Sequence, residues 1–323
     1  MKTSDKFTKI FYATDVHGSE RTFQKFINCW KSYDVKVLVL GGDLTGKMAI
    51  PIIDKGNGNF ECEFQGQKWT GGQEELEDLK RRASVIGSYP FVINEDEKRD
   101  LDANPEKLNE AYDRLAVERL EKWLKLAEEK LKDTGVELYI TGGNDDPLFI
   151  ENVIRKSSYV IDPEGQVVAI DDQYEMASLA DSNPTPWRTP RESSEEELER
   201  KIEAMISQVK DVRKCIFNFH VPPKDSTIDT APKLDGSVMP PRYVVEGGVQ
   251  VTIGAGSLAV RKAIEKYQPI LGLHGHIHES RGAIKIGRTL CLNPGSEYGE
   301  GILRGVIVTL KGDSVKGYQF TSG

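Results

Sequence analysis

Cysteine is scarce and scattered: Cys29, Cys62, Cys215 and Cys291 form no CxxC pair. This excludes a disulfide framework and leads us to expect reduced thiols in a cytoplasmic protein. Long apolar runs are missing too. No stretch approaches the roughly 20 residues that span a bilayer, and the opening MKTSDKFTKIFYATD lacks the apolar core of a signal peptide. Positive charge is in deficit, since 43 Lys and Arg stand against 51 Asp and Glu for a net charge of −8. That balance argues against a general electrostatic hold on nucleic acid or anionic lipid, so neither partner is expected.

What remains is ordinary for a globular chain: 38% hydrophobic and 29% charged residues over 323 positions. Such a length suits one large α/β domain, expected here over 1–323. Five short apolar runs, Lys9–Thr14, Val35–Leu40, Val136–Thr141, Lys214–Phe219 and Pro269–His274, have the length and branched content of strands buried on both faces. Helical patterns separate them at Glu20–Lys31, Ser193–Val212 and Ser257–Tyr267. The longest helical signal is Glu106–Lys132, where Tyr112, Ala116, Leu120, Trp123, Leu124, Ala127 and Leu131 mark one apolar face. We read about 72–133 as a solvated helical insertion and about 171–191, with its PTPWRTP, as a loop excursion in which Trp187 anchors the packing. Strand-like pieces return at Thr289–Asn293 and Gly305–Lys311, so the pattern predicts a layered α/β sandwich.

The protein has five histidines, and each falls at or just past the end of a predicted strand. Asp15 and His17 follow the first run in ATDVHG, Asp43 the second in GGDLTG, and Asn144 the third in TGGNDDP. His220 follows the fourth in NFHVPP, and His274, His276 and His278 close the fifth as HGHIH. Parallel strands line up their C-terminal ends along one sheet edge, which predicts a common cleft for these side chains. Imidazole, carboxylate and amide donors without thiolate suit first-row divalent ions, Mn first, with Fe, Zn or Ni as alternatives. The donors are too many for one ion. A carboxylate such as Asp43 can bridge two ions ~3.5–4 Å apart. Two ions sharing a water give a hydroxide near neutral pH and neutralise a phosphoryl oxygen, which suits hydrolysis of a phosphate ester.

Asp-x-His, Gly-Asp, Gly-Asn, His before a Pro pair, and Gly-His-x-His, in that order over residues 15–278, resemble the calcineurin-like metallophosphoesterase family. NPGS at Asn293–Ser296 resembles the turn that follows the last histidines in many members. The resemblance implies a four-layer α-β-β-α sandwich, here with a helical insertion, acting on a small phosphomonoester or phosphodiester. It implies one ion on Asp15, His17, Asp43 and His278, and another on Asp43, Asn144, His220 and His276. His274 matches no ligand position, and a supporting role is expected for it. The chain departs from the family at one point. Many members read Gly-Asn-His-Asp, with the histidine against substrate, whereas Asp145 stands there in Gly143-Asn144-Asp145-Asp146. Asp145 serves as general acid only if its pKa is raised, and otherwise repels a phosphate dianion unless a neighbour offsets it. Two alternatives stand beside this reading: a metal-binding scaffold of the same fold with little turnover, which the missing histidine favours, and a nuclease, which the net charge disfavours.

Overall fold

The computed structural model describes residues 6–323. In chain order its first elements are β1 (Thr8–Ala13), α1 (Glu20–Tyr33), β2 (Val37–Gly41), β3 (Ala49–Asp54), β4 (Phe60–Phe64), β5 (Gln67–Gly71) and α2 (Gln73–Val85). Then come β6 (Tyr89–Ile93), α3 (Glu95–Ala103), α4 (Glu106–Leu131), β7 (Glu137–Thr141), α5 (Ile150–Ile154), β8 (Val167–Ala169) and β9 (Glu175–Leu179). α6 (Glu195–Ile206) and β10 (Cys215–Phe219) precede a ribbon of two- and three-residue strands between 230 and 254, and α7 (Leu258–Tyr267) follows it. The chain closes with strands Leu271–Leu273, Gly282–Ile286, Thr289–Asn293, Arg304–Lys311 and Ser314–Ser322. The five apolar runs of the sequence thus all form strands, within one or two residues at either end.

Two sheets make the centre of this mixed α/β fold. One has five strands, in the order Ser314–Ser322, Arg304–Lys311, β1, β2, β7, and β1, β2 and β7 run parallel. The other has six, in the order Gly282–Ile286, Thr289–Asn293, Leu271–Leu273, β10, β9, β8, with the four middle strands parallel. Alternate residues of a strand point to opposite faces, and the packing follows that period. Ile10, Tyr12, Val37 and Val39 meet Met176, Ile216, Leu271 and Leu273 of the facing sheet. Phe11, Leu38 and Leu40 turn the other way onto Phe23 and Phe26 of α1 and Leu120 and Trp123 of α4. On the far side, Phe217 and Phe219 pack with Leu198 and Ile202 of α6 and Val260 and Ile264 of α7. Ser19, Ser194 and Ser257 start α1, α6 and α7 by accepting a hydrogen bond from the third residue inward.

Two expectations are corrected. The insertion is not merely helical. It begins earlier, with β3, β4 and β5, which join β6 in a four-stranded sheet ordered β5, β4, β3, β6 and packed on Leu76, Leu79 and Ala83 of α2. Its strands were hard to read because FECEF alternates apolar and charged residues over only five positions and QKWTG offers a single large apolar side chain, Trp69. Nor is it only a solvated excursion, for α4 buries Leu120, Trp123 and Ala127 in the core, with the Trp123 ring stacked on Phe23 at 4.2 Å. The stretch 171–191 contains β9, an interior strand whose EMASL lacks the branched residues that signal one. Within it Trp187 is 51% exposed and anchors no core. Among the described residues no helix is long and apolar enough to cross a membrane.

Candidate metal centre

The parallel strands β1, β2, β7, β10 and Leu271–Leu273 end at one rim, and their following loops bind each other through the backbone. Asp15 N donates to Gly42 O at 2.9 Å, His17 N to Asp43 O at 2.9 Å and Gly18 N to Leu44 O at 2.7 Å. Within the six-stranded sheet, Gly275 N donates to His220 O at 2.9 Å. Four of the expected residues hold left-handed backbone: Asp15, His17, Asp43 and His276. Such φ values are uncommon outside glycine, and they concentrate where side-chain chemistry dictates the residue.

The side chains converge. Donor atoms of Asp15, His17, Asp43 and His278 all lie within 4.8 Å of one another. His278 Nε2 is 3.3 Å from Asp15 Oδ1 and 3.1 Å from His17 Nε2, which is itself 3.5 Å from Asp43 Oδ2. Beside this group, His220 Nε2 lies 3.4 Å from Asp43 Oδ2 and 3.8 Å from Asp15 Oδ1. Asn144 Oδ1 is 2.6 Å from His276 Nδ1, and the His276 amide donates to the Asp15 carboxylate at 3.1 Å. Asp43 therefore stands between the two sets, next to His17 on one side and His220 on the other. The structure thus brings together all seven residues singled out as ligands.

Burial sharpens the chemistry. Asp15, His17, Asp43, Asn144 and His220 are almost fully inaccessible. His220 Nδ1 lies 2.9 Å from the Gly41 carbonyl, the pairing of a donated Nδ1–H, which leaves Nε2 free toward the carboxylates. His220 Nε2, which faces the carboxylates, has no hydrogen-bond partner, a costly state for a buried nitrogen that a cation accepting its lone pair would relieve. Burial opposes charge on His220, yet Asp43 and Asp15 outweigh it and push its pKa up to about 10. Burial also works against ionised Asp15, and His278, His220 and His17 overcome it to hold that carboxyl well below its ordinary range. By contrast burial, aided by His220, pulls His276 down to about 3. The buried carboxylates thus draw positive charge onto His220, while burial keeps it off His17 and His276. The donor set, its closeness and its unpartnered nitrogen fit divalent ions.

His274 stands apart, fully buried with Nδ1 2.8 Å from the Phe219 carbonyl, next to His220 in the chain. Asp145 is partly exposed, 3.9 Å from His17 Nδ1 and paired with Lys47 Nζ at 2.9 Å. Its amide donates to Asp43 Oδ1 at 3.0 Å. Gly143 is obligatory here, because a Cβ would overlap Asp43.

Several residues that hold the centre, the NPGS turn apart, carry no local signal in the sequence. The buried Asp146 carboxylate accepts from Leu44 N, Thr45 N, Thr45 Oγ1 and Gly143 N, and so clamps the loops after β2 and β7 together. Buried Arg191 donates to the carbonyls of Asp146 and Pro147 and pairs with Glu151 at 2.6 Å. Asn293 Nδ2 donates to Gly275 O and Ile277 O, and Ser296 Oγ to Asp15 O, so NPGS anchors the histidine loop. The Tyr298 ring lies 4.6 Å from that of His17. The second Asp of GNDD and the Lys of GGDLTGK were the nearest thing to a signal. The insertion contributes too: Tyr89 Oη accepts from Gly46 N, Tyr112 Oη donates to Gly46 O, and Arg119 donates to Gly18 O, each at 2.6 Å.

No family model matches the chain. It is 30% identical over 172 residues to the uncharacterized protein MJ1162 of Methanocaldococcus jannaschii, a match that covers 53% of this chain and 67% of that protein. One solved crystal structure superposes with a TM-score of 0.58 at 16% identity, covering 98% of this chain and 99% of the other. TT1561 of Thermus thermophilus gives 0.51 at 12%, covering 95% and 99%. These two likenesses show the fold alone. A dimetal phosphatase from Danio rerio is a weaker neighbour, at 0.44 and 10% identity over 98% of each chain. The chain belongs to one family with MJ1162, and its ordered motifs resemble those of the calcineurin-like metallophosphoesterases.

Proposed function

We propose that this chain is a metal-dependent phosphoesterase that hydrolyses a small phosphomonoester or phosphodiester. The observation that carries the reading is the meeting of Asp15, His17, Asp43 and His278 within 4.8 Å, with His220, His276 and Asn144 beside them. On this reading Asp15, His17, Asp43 and His278 hold one divalent ion, and Asp43, Asn144, His220 and His276 hold the second, Mn first and Fe, Zn or Ni as alternatives. When bound, such a pair of ions supplies a water of lowered pKa and neutralises charge on the phosphoryl group. The chain's own residues do the rest. His220 is oriented by the Gly41 carbonyl, Asp43 is held by the Asp145 amide, and the NPGS turn keeps His276 and His278 against Asp15.

The packing of helices outside each of two facing sheets supports reading the architecture as the four-layer α-β-β-α sandwich of such enzymes. Four separate buried thiols support a cytoplasmic setting. The test is hydrolysis of p-nitrophenyl phosphate and bis-p-nitrophenyl phosphate by metal-stripped protein refilled with Mn, beside Asp43→Ala. Turnover that needs metal and disappears in the variant is expected. Stoichiometric metal binding without turnover of either ester would favour the scaffold reading instead.

A further inference from the structure

The departure at Asp145 places a carboxylate where many members of the family present a histidine to substrate, yet that carboxylate is not alone. Lys47 Nζ lies 2.9 Å from Asp145 Oδ2, and the same oxygen is 3.9 Å from His17 Nδ1. The two charges cancel in sum, but they differ in what they offer. The carboxylate is engaged by the ammonium, whereas the ammonium has three N–H donors and Asp145 is the one ion-pair partner the structure gives it among the described residues. The Lys47 side chain is 50% exposed, so a ligand in the cleft can reach it.

Its mounting is rigid. Leu44 N and Thr45 N are fixed on the Asp146 carboxylate, and Gly46 is gripped on both sides by the hydroxyls of Tyr89 and Tyr112. Asp145 is tied through its amide to Asp43. Both members of the pair are thus positioned from the centre itself. Burial works against the ammonium, but Asp145 outweighs it and keeps Lys47 above the ordinary lysine value.

We propose that Lys47, steered by Asp145, is the phosphate-binding side chain of this site, donating to a non-bridging phosphoryl oxygen in place of the family's histidine. The inference rests on the phosphoesterase reading and adds a substrate preference. An ammonium preorganised over the cleft favours the monoester, which keeps a doubly charged terminal phosphoryl group, over the singly charged diester.

The experiment uses the full-length, Mn-refilled protein with Lys47→Met, Lys47→Arg and Asp145→Asn. Competitive inhibition by orthophosphate, KM and kcat for both nitrophenyl esters, bound Mn and thermal melting are measured on each. Lys47→Met should weaken orthophosphate by about 10- to 100-fold, the loss expected for one charge-assisted hydrogen bond. It should raise KM for the monoester by a similar factor and for the diester by clearly less, with Mn content and melting unchanged. Lys47→Arg should recover most of the phosphate affinity, and Asp145→Asn should lose a smaller part of it. Orthophosphate inhibition within about twofold of wild type in Lys47→Met, or equal losses for the two esters, would overturn the proposal. If wild type turns over neither ester, the phosphoesterase reading falls and takes this inference with it. If wild type turns over both and Lys47→Met matches it, only the inference falls.

Discussion

The loops of the candidate centre and the turns of the appended sheet β3–β6 both need left-handed backbone, and they meet the need differently. In the appended sheet Gly56, Gly58 and Gly66 take much of it, with Asn57 and Gln65 beside them, and nothing lies within 4 Å of where a Cβ on those glycines would be. In the centre Gly18, Gly42 and Gly295 take part of it, and the rest falls on Asp15, His17, Asp43 and His276, residues that bring a donor atom to the cluster. For L-residues this region costs roughly 1–2 kcal/mol each. The hairpin turns of the appended sheet leave most of that cost to glycine, whereas a turn that must aim an imidazole or carboxylate cannot. The surroundings differ in the same sense. The centre's loop backbone is buried and held by Asp146, Arg191 and Asn293, while the hairpins of the insertion face solvent.

The contrast can be broken at its strongest point by Asp146→Ala. It leaves the amides of Leu44, Thr45 and Gly143 without their acceptor. A loss of about 3–5 kcal/mol in urea unfolding is expected, together with loss of bound metal. A cost near that of a surface change would mean that the clamp does not organise the loops. Gly87→Ala comes next. A Cβ there would overlap the His17 carbonyl, so the variant should cost about 2–4 kcal/mol and reduce turnover as well. Full activity with normal stability in Gly87→Ala would separate the insertion from the site.

A third change concerns the buried network behind the Asn144 loop. Burial raises Glu164 from 4.5 to about 8. Its folded pKa exceeds the unfolded one, so its contribution to stability is full below pH 4.5 and is lost as pH rises toward 8. Glu164→Gln should therefore match wild type near pH 4 and exceed it by about 1–3 kcal/mol near pH 8, read from melts across pH. The reverse trend would show an ionised, well-compensated carboxylate. The smallest effect belongs to Gly58→Ala in the β3–β4 hairpin, where open space leaves only the backbone cost. About 1 kcal/mol and unchanged turnover are expected.

The same contrast governs what the sequence disclosed. β1, β2, β7 and β10 are buried on both faces and read as plain apolar runs. The seven candidate ligands were legible because imidazoles and carboxylates seldom gather at successive strand ends for packing alone. β4 and β5 are half exposed and short: FECEF alternates over five positions only, and QKWTG has one large apolar side chain. β9 spells EMASL, and only its place between β8 and β10 makes it a strand. Asp146, Arg191 and Lys47 are common residue types whose tasks arise from the approach of loops about a hundred or fewer positions apart, which no local pattern encodes. Trp187 misled for the opposite reason, since a large aromatic between prolines suggests packing that its loop does not provide.

The central claim is that Asp43 joins two ion sites in one cluster, and metal stoichiometry tests it most directly. Metal-stripped full-length protein is titrated with Mn, freed of excess by gel filtration and analysed for bound metal, with His220→Ala and Asp43→Ala alongside. About two ions per chain are expected in wild type, about one in His220→Ala and almost none in Asp43→Ala. Undiminished binding in Asp43→Ala, or no binding by a folded wild-type chain, would contradict the claim.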